Sequence, residues 1–259
     1  MTDGLVCEPE MTPMLVTARV AGGVGLDARW GTALDGLLAA AIWAERKAEL
    51  RGQETATVPL AAQHTPEDLP LPLARCESGG MWHWAATFAE PVTPLGVEEG
   101  TSDVRWMHTA FDQRHAGQVA DPAALPESIP AHYGRFLKYR LPLVVTLCRE
   151  VTWRAVGRPA HVKALLDTVT AFGKKRAHGE GHVLRWSVEP FEVPRQQWWD
   201  WAHLHHRGGG LGRTAPAECL HDRSGVRSGG FGIGGIRPPY IHPERRAQLM
   251  LPVPLDGGW

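Results

Sequence analysis

The sequence predicts an α+β fold in which short strands alternate with two helices, and three observations predict it. Short runs rich in β-branched and apolar residues, Thr12 to Val20, Glu150 to Gly157 and Val183 to Val188, have the composition of strands. Two other segments, one opening at Thr32 or Asp35 and running to about Leu50 and one opening at Pro159, repeat apolar residues at the interval of a helix face. The hydrophobic content of 43%, with 11 tryptophans, is enough to bury a sizeable core in a chain of 259 residues, as one elaborated domain or two small ones.

Taken in order, Thr12 to Val20 forms a first strand that stops at Ala21-Gly22-Gly23. Leu34, Leu37, Leu38, Ala41 and Ile42 then give the first helix one apolar stripe before it turns charged at Glu45-Arg46-Lys47. Residues 52–80 carry Pro59, Pro66, Pro70, Pro72 and Gly79-Gly80 and are expected to be an irregular insertion. Met81 to Phe88 is expected to be a strand whose Trp82 and Trp84 share one face, for packing rather than for stacking bases. Residues 90–132 form a second insertion with one short strand, Val104 to His108. Arg135 to Val145 begins with alternating basic and apolar residues, so Arg135, Lys138 and Arg140 are expected to project outward.

Glu150 to Gly157 is the next strand, and Pro159 suits the first turn of the helix after it. Val162, Leu165, Leu166, Val169 and Phe172 share one face of that helix, and Val183 to Val188 returns as a strand. The order β-α-β-β-α-β is ferredoxin-like, the arrangement also used by RNA-recognition (RRM-like) modules. This domain is expected over 12–190. A Trp/Pro/Gly-rich C-terminal extension, 191–259, is expected to pack on it, with one more strand within Phe231 to Tyr240.

Between the second helix and the last strand lies Phe172-Gly173-Lys174-Lys175-Arg176-Ala177-His178-Gly179-Glu180-Gly181-His182. Its glycines permit positive φ and close approach by another chain, while Lys174, Lys175, Arg176 and His178 surround the exposed backbone with positive charge. Such a glycine-rich loop suits a polyanion. The helix precedes the glycines, and the spacing matches neither a P-loop nor a dinucleotide-binding turn, so a mononucleotide is not the expected ligand.

Charge is unevenly distributed. Residues 1–131 hold 8 Lys/Arg and 18 Asp/Glu, residues 132–187 hold 11 and 3, and residues 188–259 hold 8 and 7. The basic block contains the glycine loop, the layout of a protein that holds nucleic acid on one face and repels it elsewhere. Cys7, Cys76, Cys148 and Cys219 form no C-x-x-C pair, which points to neither a zinc ribbon nor a disulfide framework. His203, His205, His206 and His221 lack zinc-site spacing, so no metal and no cofactor are expected. Without an apolar run of membrane-spanning length or a signal core, the chain is expected to be soluble and cytoplasmic, with no membrane partner.

The residues resemble the RAMP superfamily of CRISPR-associated proteins, and more closely the type IV effector-complex subunit of the Cas-five class, the Csf-three family. The resemblance runs through Ala18-Arg19-Val20-Ala21-Gly22, Leu34-Asp35-Gly36-Leu37-Leu38, Trp82-His83-Trp84 and Lys138-Tyr139-Arg140-Leu141-Pro142. It continues through Val151-Thr152-Trp153, Val156-Gly157, Gly173-Lys174-Lys175-Arg176 with Gly179 and Gly181, Arg213 with Pro216, and Arg237-Pro238-Pro239-Tyr240. It implies a non-catalytic subunit that holds the 5′ repeat-derived handle of the guide RNA (crRNA) in a ribonucleoprotein for antiviral defence. Such a subunit caps a filament of RAMP-type backbone subunits and meets the large subunit, with target DNA as a further candidate partner. Gly173, Lys174, Lys175, Arg176, His178, Gly179 and Gly181 would form the RNA seat, extended by Arg135, Lys138 and Arg140. Two alternatives are a repeat-RNA endoribonuclease working through His178, His182 and Tyr139, and a structural adaptor docking partners through the tryptophan-rich C-terminal region.

Overall fold

The computed structural model describes residues 4–26, 30–51, 65–77, 80–92, 102–109, 139–176, 179–206 and 209–254. They fall into two compact units, Met1–Thr101 with Thr146–Trp259, and Ser102–Val145. Each is taken by itself.

In chain order the strands and α-helices are β1 (Leu5–Val6), β2 (Thr12–Val20), α1 (Leu34–Arg51), β3 (Arg75–Cys76), β4 (His83–Trp84), β5 (Glu90–Val92), β6 (Ser102–Thr109) and β7 (Tyr139–Thr146). They continue with β8 (Glu150–Gly157), α2 (Pro159–Leu166), β9 (Val183–Pro190), α3 (Trp198–His203), β10 (Phe231–Gly235) and β11 (Arg246–Met250). Four strands make the central sheet in the order β5-β8-β2-β9, with every neighbouring pair antiparallel. That order, with α1 after the first strand and α2 after the third, is consistent with a ferredoxin-like domain.

The sheet follows from period-two burial. Met14, Val16, Ala18 and Val20 of β2 are all buried, and across from them stand Trp153 and Val151 of β8 and Trp186 of β9. Leu34, Leu37 and Leu38 of α1 and Val162 and Leu166 of α2 close this core. The opposite faces of the same strands meet a second core. There Val156 packs with Leu5, Cys76, Trp199, Ala202, Leu211, Ala215 and Cys219. Trp201 of α3 donates its indole N–H to the Met14 carbonyl (3.1 Å), which fixes the C-terminal segment against β2. β10 and β11 form an antiparallel ribbon.

Three expectations are corrected. The sheet position expected of 135–145 belongs to β5, whose Pro91 suits an edge strand; β7 instead pairs with β6 in the smaller unit. Met81 to Phe88 is no continuous strand, because its amides turn to different partners: Ala85 to Ala74, Thr87 to Arg154 and Phe88 to Gly212. The second helix ends at Leu166 rather than at the glycine loop, where β-branched Thr168, Val169 and Thr170 favour an extended path. Thr168 caps the Leu165 carbonyl with its hydroxyl (2.7 Å), and the Trp186 indole takes the Val169 carbonyl (2.8 Å). No helix among the described residues is long and apolar enough to cross a membrane.

Candidate nucleic-acid interface

The glycine loop stands on a rigid neck. Ala171 bridges His182 antiparallel, Phe172 N–H donates to the Gly181 carbonyl (3.1 Å), and Val183 N–H donates to the Thr170 carbonyl (2.9 Å). Fully buried Phe172 anchors that neck in the main core, 5.3 Å from the Trp153 ring and 5.9 Å from the Trp186 ring. The neck is also tied to the end of β2 by a bond from Ala21 N–H to the His182 carbonyl (3.0 Å).

Two of the glycines are required by close packing. A Cβ on Gly181 would lie 2.0 Å from the Phe172 carbonyl oxygen, and one on Gly173 would lie 2.4 Å from that of Gly25; both residues also have positive φ. Gly179 differs: its φ is +87°, yet a Cβ there would meet nothing within 4 Å among the described residues.

The tip between these glycines carries the cations. Lys174 and Arg176 are exposed, Lys175 is half-buried, and none makes an ion pair among the described residues. Lys174 N–H donates to the Gly25 carbonyl (2.7 Å), so its backbone is held while its side chain is left outside. Lys175 has φ 59°, the only positive φ of a non-glycine residue among those described. An L residue in that region costs about 1–2 kcal/mol, and such outliers gather where a side chain must be aimed. Glu180, in contrast, is buried.

Of the other expected site residues, His178, Arg135 and Lys138 lie outside the described residues. Arg140 lies on β7 in the smaller unit, its guanidinium 4.3 Å over the Trp106 ring. Exposed Arg19 and Arg185, which sequence reasoning missed as site residues, stand directly opposite each other on β2 and β9, one step from the neck. By alternation with core residues both stand on the face opposite α1 and α2. Like charges at facing positions repel, and Glu150 faces Arg19 from its other side, on β8. Their signal is the period-two pattern: each is next to an inward residue, Ala18 or Trp186, and so must face out.

Trp82 and Trp84 are used internally. Their rings meet edge-on at 5.0 Å, with the Arg75 guanidinium over both and Arg237 over Trp82 at 4.2 Å.

A further set of polar residues is buried rather than displayed. Fully buried Arg213 donates to the carbonyls of Trp84, Ala86 (2.9 Å), Thr214 (3.0 Å) and Ile236 (3.2 Å). The Tyr240 hydroxyl donates to both Asp35 carboxylate oxygens at 2.8 Å. Burial raises the Asp35 pKa, opposed by the Arg213 charge and the Tyr240 bond. The resemblance motifs around residues 35, 84, 213 and 237–240 thus meet in one place.

This placement of motifs along nearly the whole chain agrees with a family comparison: residues 12–252 match the model described as CRISPR type IV associated protein Csf3. The chain belongs to the Csf3 family. It is therefore a component of the type IV CRISPR system. No curated protein matches the chain.

One cluster lies apart from the loop neck. Cys76, His83, His203 and Cys219 bring four ligand atoms within 4.8 Å of one another, all buried. The expectation of no metal ligands was drawn from local spacing, and only His203 of the expected histidines takes part. His205 and the backbone of His206 turn to the Glu90 carboxylate, while His221 lies beside Asp222.

Proposed function

We propose that this Csf3 chain is a non-catalytic guide-RNA-binding subunit of a type IV CRISPR ribonucleoprotein, a RAMP domain of the Cas-five class. In this reading the loop tip holds the 5′ repeat-derived handle and the chain caps a filament of RAMP-type backbone subunits, meeting the large subunit there. The observation that carries the reading is the loop: three cations without ion pairs among the described residues, on a neck held by Gly173, Gly181 and Phe172. Phosphates are the natural partners of such a group, because Lys174 and Arg176 are already in water and lose little to desolvation. Arg19 and Arg185 add exposed cations beside the neck, and in this reading Arg135, Lys138, Arg140 and His178 are further phosphate contacts. Guide pairing would read the target while this subunit reads backbone and shape.

The test compares labelled RNA carrying the repeat-derived 5′ handle with a scrambled RNA of equal length, over a range of salt. Phosphate contacts alone are sequence-blind, so a handle preference that persists as salt weakens both affinities is the expected result. Equal binding of both RNAs at every salt overturns handle recognition. A defined cleavage product in the absence of metal overturns the non-catalytic part.

A further inference from the structure

The second core contains a closed set of four metal-ligand side chains from four separate elements. β3 supplies Cys76 and β4 supplies His83, which face each other in register. α3 supplies His203 from its last residue, and a 3₁₀ turn, Ala217–Leu220, supplies Cys219. Their relative exposures are 0% for Cys76, His83 and His203 and 6% for Cys219, so no position opens to solvent.

All four ligand atoms lie within 4.8 Å of one another, and three of the six spacings are close to the edges of one tetrahedron. Zinc bonds of about 2.3 Å to sulfur and 2.0–2.1 Å to nitrogen set edges of roughly 3.8 Å between sulfurs, 3.3 Å between nitrogens and 3.6 Å between the two kinds. The structure has Cys76 Sγ to Cys219 Sγ at 3.6 Å, His83 Nε2 to His203 Nε2 at 2.9 Å, and Cys219 Sγ to His83 Nε2 at 3.9 Å. Each is within about half an ångström of the edge it would become.

The bonds around the cluster prepare the atoms for a cation. The Trp199 carbonyl can only accept, so His203 Nδ1, 2.8 Å away, carries the proton and Nε2 offers its lone pair inward. The Trp199 indole can only donate, so Cys219 Sγ, 3.2 Å away, accepts. Trp199 also stacks on His203 with ring centroids 4.3 Å apart and 4° between planes, which fixes the imidazole. One tryptophan thereby orients two of the four ligands.

We propose that Cys76, His83, His203 and Cys219 bind one Zn²⁺ in a closed Cys2His2 structural site. Two thiolates and two neutral imidazoles select zinc among the common divalent ions, and with four protein ligands no coordination position remains for catalysis. The ion fastens the β3–β4 hairpin to α3 and the 217–220 turn, joining segments 120 and 143 residues apart in sequence. This role is independent of RNA binding.

The test is elemental analysis of the untagged full-length chain, purified without chelator, together with Co²⁺ substitution. The expected result is about one zinc per chain, with Co²⁺ giving the visible bands of a tetrahedral ion and thiolate-to-metal charge transfer in the near ultraviolet. His83→Cys should retain the ion, whereas His83→Ala and Cys219→Ala should lose it. Where an alanine variant fails to fold, the cobalt spectrum of the unaltered chain still decides. A folded chain far below one zinc, with Co²⁺ remaining octahedral, overturns the proposal. So does a folded Cys219→Ala chain that keeps its zinc, or a Cys76–Cys219 disulfide in the mass spectrum of an unreduced digest.

Discussion

Replacing Lys174, Lys175 and Arg176 together by alanine removes the charge of the loop tip and spares its backbone. The tip is held by main-chain bonds, such as Lys174 N–H to the Gly25 carbonyl, and by the glycines beneath it, none of which depends on the three side chains. The fold should therefore keep its stability to within about 0.5 kcal/mol per substitution, the range for surface changes. RNA binding should respond very differently. Each phosphate contact to a single strand contributes about 0.7 to the slope of log affinity against log salt, so three contacts contribute about 2. Raising salt from about 50 to about 200 mM should then weaken the unaltered chain roughly 20-fold more than the variant. Fluorescence anisotropy with labelled handle RNA at four or five salt concentrations measures this, with a thermal melt confirming the fold. Equal slopes for the two proteins would remove the loop from the interface, and a variant that binds as tightly as the parent would sink the RNA-binding proposal.

Four shorter predictions follow from the same structure. Lys175→Gly relieves the left-handed backbone at φ 59° while deleting one cation, so its melting temperature should hold or rise as its RNA salt slope falls by about 0.7; a fall in both would show that Lys175 serves the fold. Gly179→Ala should cost only the backbone penalty of about 1–2 kcal/mol, whereas Gly181→Ala should cost more and unseat the neck, since its Cβ would lie 2.0 Å from the Phe172 oxygen; denaturant melts rank the two. Arg213→Met strips four carbonyls of a charged donor and removes a charge facing buried Asp35, so a loss of at least about 3–5 kcal/mol is expected in urea unfolding. Because the folded pKa of Asp35 is raised, its contribution is fully present below the unfolded value of 3.8 and is lost as pH rises through the folded value. Melting temperature relative to Asp35→Asn should therefore fall over that interval, and a parallel pair of curves would refute it.

The central sheet was legible because its inward residues alternate without interruption. β2 and β8 have the bounds their sequences suggest, since Met14, Val16, Ala18 and Val20 face the core in one register with Val151, Trp153 and Ala155. β5 was not legible. Three residues with a central proline carry no periodicity, and their place is set by pairing with β8 across an insertion. The helix end at Leu166 was misread because Val169 and Phe172 continue a helical apolar spacing by coincidence; both are pulled toward the core from an extended neck, Phe172 by its aromatic partners. The zinc-type cluster was hidden for a different reason. Its residues come as Cys76 with His83 and His203 with Cys219, and only the docking of α3 on the β3–β4 hairpin makes them neighbours.

The two sites rest on different cores, and this separates their consequences. The loop neck is seated by Phe172 among Trp153 and Trp186, in the core closed by α1 and α2. The four-ligand cluster lies with Trp199, Ala202 and Leu211 on the other side of the sheet, where Cys76 and Cys219 belong to the packed set. β8 lies between them, sending Trp153 and Ala155 one way and Val156 the other. Loss of the proposed ion should loosen the docking of the C-terminal segment first, exposing amides around Leu204 and Leu211 to hydrogen exchange. The amides of Phe172 and Val183, bonded across the neck, should keep their protection. Loop variants should show the reverse independence, changing RNA affinity without releasing zinc. If chelation instead weakened RNA binding as strongly as it loosened the C-terminal core, the sheet would be transmitting strain between its faces, and the loop could not be treated as a separately anchored site.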